Sequence, residues 1–236
     1  MRARAIKLYL ASIARPDKAR VFHRFFKSGP GEYGEGDQFI GITVPVLHQA
    51  ARQFADADDG TLTALLASEI HEHRLLALLI LVRQFERGAT ARREVARLYL
   101  AHLDRVNNWD LVDVSAPKIL GPHLQNGSRK LLLTLARSRS LWRRRVAVLA
   151  TFHFIRQNDF VWTLNLAAML LHDPHDLMHK AIGWMLREVG KREEPVLRAF
   201  LDQHATVMPR TMLRYAVERL PVAARQRYMA AAAQGT

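Results

Sequence analysis

The chain has 236 residues, 49% of them apolar, and 35 Lys and Arg against 22 Asp and Glu give it a formal charge of +13. That is enough for one large domain, read here as spanning 1–236, and so large an excess of cations favours a polyanionic partner, nucleic acid before membrane. The absence of cysteine excludes disulfides, thiolate metal sites and cysteine nucleophiles and fits a reducing cytoplasm, while the apolar run over 75–82, eight residues, is too short to span a bilayer.

Residues 1–28 read as two helices separated at Arg15-Pro16-Asp17, with Asp17 a candidate cap. Ile6, Leu8, Tyr9, Leu10 and Ile13 give the first an apolar stripe, and Phe22, Phe25 and Phe26 give the second an aromatic face. The glycines of residues 29–37 suggest a phosphate cradle. No strand precedes them, however, and Glu32, Glu35 and Asp37 would repel phosphate, so the stretch reads as a flexible loop. A helix starts at Thr43-Val44-Pro45, with proline in its first turn. Asp58-Asp59-Gly60-Thr61 reads as a turn, followed by helices over 61–68, 74–86 and 91–103. No alternating strand pattern occurs anywhere.

Spacing gives the architecture. Arg74 opens one apolar helix, Asp110 follows 36 residues later, Arg145 35 after that, Lys180 another 35 on, and Arg210 30 further. Another helix falls between successive members, as over 129–137 and 160–171. A helix pair every ~35–45 residues predicts an all-α curved solenoid of HEAT-like pairs, in which equivalent helices line one concave wall. Four of the five second helices carry a basic residue near the start. The exception is the one that begins Trp109-Asp110 and carries Asp113, so an acid interrupts a cationic wall.

Asn107 or Asn108 is placed to cap the helix at Trp109. Trp109 and Asp113 are four apart and therefore share a face, and Pro117 must kink or restart the helix. Lys180, Trp184 and Arg187 fall on another face at i, i+4 and i+7, and Arg210 and Arg214 repeat that logic. Within Arg143-Arg144-Arg145, Arg145 is in phase with Lys180. Arg74, Arg145, Lys180, Arg187, Arg210 and Arg214 are thus the candidate DNA contacts, since cations interleaved with aromatic planes suit a nucleic-acid backbone. His172, His175, His179, Asp173 and Asp176 invite a metal reading. Their arrangement is better explained as a turn with a helix cap, and neither a metal nor a cofactor is expected. The sequence holds no glycine-flanked serine nucleophile and no lysine-bearing phosphate loop.

Asn108-Trp109-Asp110-Leu111-Val112-Asp113, Leu141-Trp142-Arg143-Arg144-Arg145-Val146-Ala147, Lys180-Ala181-Ile182-Gly183-Trp184-Met185-Leu186-Arg187-Glu188 and Phe39-Ile40-Gly41-Ile42 together resemble the AlkD-type DNA alkylation-repair glycosylases. The resemblance runs over nearly the whole chain. It implies a monomeric HEAT-like solenoid that hydrolyses the N-glycosidic bond of cationic N3- and N7-alkylpurines in duplex DNA without drawing the base into a pocket. It also implies Asp113 as the catalytic carboxylate, Trp109 and Trp184 as the aromatic pair against the lesion nucleotide, and Arg145 as a backbone contact. Thr43, Val44 and His48 depart from the polar and basic residues such enzymes carry there. Two other readings follow: a DNA-structure-binding solenoid without catalysis, and a protein-interaction scaffold.

Overall fold

The computed structural model describes residues 3–234. The chain folds into two compact units, Met1–Ser115 and Ala116–Thr236. Among the described residues regular structure is helical throughout, apart from a lone bridge between Gln38 and Ile70.

The first unit contains α1 (Ala3–Ser12), α2 (Pro16–Phe25), α3 (Val44–Gln53), α4 (Asp59–Leu66), α5 (His71–Phe85), α6 (Ala89–Ala101) and α7 (Trp109–Ser115). Asp17 lies inside the first turn of α2, whose N-cap is Arg15. The expected turn at 58–61 is already the start of α4. The Asp58 carboxylate accepts from the Thr61 N–H at 2.7 Å and satisfies one of the donors a helix start leaves open. The core centres on α5, which buries every residue except Arg83 and Gln84. The apolar run 75–82 accounts for most of that helix, which packs against α3, α4, α6 and α7. A helix hydrophobic on all sides must be surrounded, and α5 is.

The stretch 29–37, expected to be a flexible loop, is tied down. Gly34 N–H donates to the Lys27 carbonyl at 2.9 Å, and Asp37, 5% exposed, is drawn inside by partners described below. Beyond it Gly41 sits at φ 79°, where a Cβ would come 2.0 Å from the Arg15 carbonyl, so only glycine fits. The Arg15 N–H donates to Ile40 O at 2.8 Å across the same approach.

The second unit contains α8 (Leu120–His123), α9 (Lys130–Ala136), α10 (Leu141–Ala150), α11 (Phe152–Ile155), α12 (Val161–Met169), α13 (Asp176–Gly190), α14 (Glu194–His204), α15 (Arg210–Ala216) and α16 (Val222–Gln234). Pro117 falls between α7 and α8, where it ends one helix before the next begins. Here α10 packs on α13 and α13 on α15, the side-by-side stacking of second helices that the spacing predicts; α3, α5 and α7 stack likewise in the first unit. Gly183 permits the α13–α15 approach, since a Cβ there would lie 2.4 Å from Met212 O.

Candidate active site

Asn108 and α7 carry the first cluster. Asn108 is fully buried, and its side-chain oxygen accepts from the N–H of the next residue, Trp109, at 2.9 Å, the first helical N–H rather than the second or third that a cap usually takes. Trp109 is half-buried. It stacks on Phe26 with ring centres 5.3 Å apart and planes 18° apart, and meets the edge of Phe25 at 5.7 Å. Asp113 is half-buried one turn on, and both residues line a cleft of about 440 Å³. Phe22, Phe25 and Phe26 form one side, Thr43, Val44 and Pro45 another, and His71, Glu72 and Leu75 of α5 the floor, with Asp110 beside them. The exposed wall is almost entirely apolar. A carboxylate in such a cleft acts through a lower effective dielectric than one in water, which strengthens its field on a nearby cation.

Beneath the cleft lies a buried ionic group that sequence reading missed. The His71 ring, 1% exposed, has Nδ1 3.1 Å from Asp37 Oδ2 and Nε2 2.8 Å from Asp110 Oδ2. Burial alone would push its pKa down, but the Asp110 carboxylate, joined by Asp37, outweighs burial and raises it to about 9. Asp37 also accepts from Asn108 Nδ2 at 3.0 Å and pairs with Arg74. Burial would raise the Asp37 pKa, yet the hydrogen bond to His71 and the charge of Arg74 hold it below the usual carboxylate value. Two residues along, His73 is held low, at about 4, by burial and then by the cations Lys7 and Arg74. Glu72, 1% exposed, accepts from the backbone N–H groups of Ile40, Gly41 and Ile42 at 2.7–3.3 Å, and this organises the Phe-Ile-Gly-Ile stretch.

Arg74 therefore stands corrected as a DNA contact. It is 1% exposed, and its guanidinium is taken by Asp37 and by the Ser68 and Glu69 carbonyls at 2.8 and 3.0 Å. The first turn of α5 is enclosed on every side, so the phase that brings Arg74 into line with Lys180 points it inward.

In the second unit Trp184 is half-buried on α13. Its Nε1–H donates to Glu188 Oε1 at 3.2 Å, and its ring lies 6.0 Å from that of Phe152. Arg145 is 5% exposed, far less than a phosphate contact requires, and donates to the Leu177 carbonyl at 2.7 Å. Arg187 pairs with Glu218 and lies 3.6 Å from Glu188, and Lys180 pairs with Asp176 at 2.7 Å. Arg210 and Arg214 are exposed. A polar hollow of about 530 Å³ beside Phe152 collects exposed Arg156, Lys191 and Arg192, cations the spacing argument overlooked. The histidine-rich stretch forms a cap: the His175 side chain accepts from the Leu177 N–H at 3.1 Å, and Asp173 pairs with Arg144 at 2.6 Å.

A family model described as "DNA alkylation repair enzyme" matches residues 6–220. The chain is also similar to the solved structure of a "predicted DNA alkylation repair enzyme" from Enterococcus faecalis. The TM-score is 0.69 and the sequences are 18% identical, over 89% of this chain and 97% of the other, a likeness that carries the fold. No curated protein matches in sequence.

Proposed function

The chain belongs to the DNA alkylation repair enzyme family, and on that footing we propose that it is a DNA glycosylase for cationic N3- and N7-alkylpurines in duplex DNA. The observation that carries this reading is Asp113 beside Trp109 in an apolar cleft. A cationic alkylpurine is already a good leaving group, so strong general-acid catalysis is not required. As the bond from base to sugar breaks, positive charge grows on the deoxyribose ring. A fixed carboxylate stabilises that charge and orients the attacking water, whose oxygen bonds to the anomeric carbon as the carboxylate takes up its proton, while the base leaves with the bonding pair as a neutral purine. The indole face of Trp109 adds attraction for the same cation. In this reading Trp184, on the second unit, supplies a further aromatic surface for the DNA. Exposed Arg210 and Arg214, with half-exposed Lys180, meet backbone phosphates, while Arg145 and Arg187 contribute only by exchanging their internal partners for phosphate. The helix pairs that stack within each unit support a HEAT-like frame for this surface.

The test is release of N7-methylguanine from a defined duplex. Asp113→Asn is expected to slow release by about 10²–10³-fold while DNA affinity stays within a few-fold. No release above the spontaneous rate at high protein concentration would sink the proposal. A second reading, DNA binding without excision, draws on Val44, which is 43% exposed where a polar contact would serve DNA better. It predicts steeply salt-dependent binding and no release.

A further inference from the structure

His71 does more than fill the floor of the cleft. Carboxylates accept hydrogen bonds and cannot donate them, and both ring nitrogens of His71 face carboxylate oxygens. Only the imidazolium carries a proton on each nitrogen, so the geometry itself selects the charged form. The charges then balance, with Asp37 and Asp110 against His71 and Arg74. Loss of the ring proton leaves one buried negative charge uncompensated, next to a lone pair that repels it. The other charged groups close by are Glu72, turned to the backbone at 40–42, and Asp113, further along the cleft; Phe26 and Phe39, stacked on each other, both pack against the ring, each 4.9 Å away.

This group grips both neighbours of Trp109. On one side Asn108 donates its Nδ2–H to Asp37 and accepts the Trp109 N–H on its side-chain oxygen. On the other, Asp110 accepts a hydrogen bond from the His71 ring and another from the Leu111 N–H at 2.9 Å. We propose that His71, as an imidazolium, is the positioning residue of the cleft: it fixes the turn from which Trp109 and Asp113 project, and the reaction at Asp113 fails when it loses its proton. The catalytic half of this statement rests on the glycosylase reading; the structural half does not.

The experiment is a joint pH titration of the full chain from pH 6 to 10. Nitrogen NMR of labelled histidine follows His71, assigned with His71→Gln, and proton NMR follows the Trp109 indole, assigned with Trp109→Phe. Base release is measured in parallel, with spontaneous release subtracted. His71 is expected to stay doubly protonated at neutral pH and to titrate near 9. The Trp109 signal should move with the same midpoint. Above it kcat should fall tenfold per pH unit, with a smaller change in KM. His71→Gln should lower kcat by about 10–100-fold and abolish the alkaline fall. Should that variant fail to fold, Asp110→Asn serves, because it removes one partner and must shift the His71 midpoint downward. A neutral His71 at pH 7, or a Trp109 signal indifferent to its titration, overturns the proposal whether or not base is released. So does release that stays flat across the His71 midpoint. If the two signals titrate together and no base is released at any pH, the glycosylase reading falls, and with it the catalytic half, while the structural half stands.

Discussion

Replacing Glu72 by alanine removes the acceptor of three buried or half-buried backbone N–H groups, those of Ile40, Gly41 and Ile42. A donor left without a partner costs about 1–3 kcal/mol, and bonds to a charged acceptor lie toward the upper end. Ile40 is half-buried, so water can partly replace the lost carboxylate there, whereas Gly41 and Ile42 are buried. The expected loss is therefore about 3–5 kcal/mol in total. Glutamine keeps an oxygen where Oε1 stands, within reach of all three N–H groups, but removes the charge and sets an amide group where Oε2 shares the Ile40 N–H at 3.2 Å; about 1–3 kcal/mol is expected for that change. Urea unfolding followed by circular dichroism measures both variants, with the denaturant slope checked for constancy. A loss below about 1 kcal/mol for the alanine variant, or equal losses for both variants, would refute the claim that this carboxylate holds the segment at 40–42.

Two further outcomes follow from the same floor and from the second unit. The His71 pKa lies at about 9, above the ordinary 6.5, so its stabilisation is complete below 6.5 and disappears as the pH rises through 9; the gap is worth about 3 kcal/mol. His73 lies at about 4, so the fold resists its protonation and loses up to about 3 kcal/mol as the pH falls from 6.5 toward 4. Thermal unfolding across pH 4–10 should thus show a maximum near 6.5; stability still rising above that pH would contradict the His71 assignment, and stability still rising as the pH falls toward 4 the His73 one. Gly183→Ala should destabilise by about 1–3 kcal/mol, because its Cβ would meet Met212 O and, at 2.5 Å, Tyr215 Cβ. The better helix propensity of alanine, worth about 1 kcal/mol, does not offset this, and calorimetry showing a raised Tm would count against the close approach.

The sequence made visible whatever depends on local periodicity. The apolar run at 75–82 announces a central helix, and the spacing of Arg74, Asp110, Arg145, Lys180 and Arg210 announces stacked pairs. The Trp109–Asp113 face is equally plain, as is the place of Asn108 just before the helix start. Contacts across 34 and 39 residues, such as His71 with Asp37 and Asp110, leave no periodic trace. A signal nevertheless existed. His71, Glu72, His73 and Arg74 directly precede eight apolar residues in unbroken helical phase, so four polar side chains enter the core and each needs a partner. Reading Arg74 as part of an outer wall ignored that enclosure. The i, i+4 spacing of Asp176 and Lys180 likewise foretold a pair within α13 rather than a free cation.

The helices that border the cleft differ in how firmly they are held. The α5 floor is buried along nearly its whole length, whereas α2, which carries Phe22 and Phe25, buries no residue at all. Local unfolding follows buried contact, so amide hydrogens of α2 exchange with solvent long before those at 76–81. The cleft is therefore expected to yield first on the α2 side. Phe25, 61% exposed, can swing away or close down without disturbing the ionic floor, so the space beside Trp109 has one adaptable boundary and one invariant one.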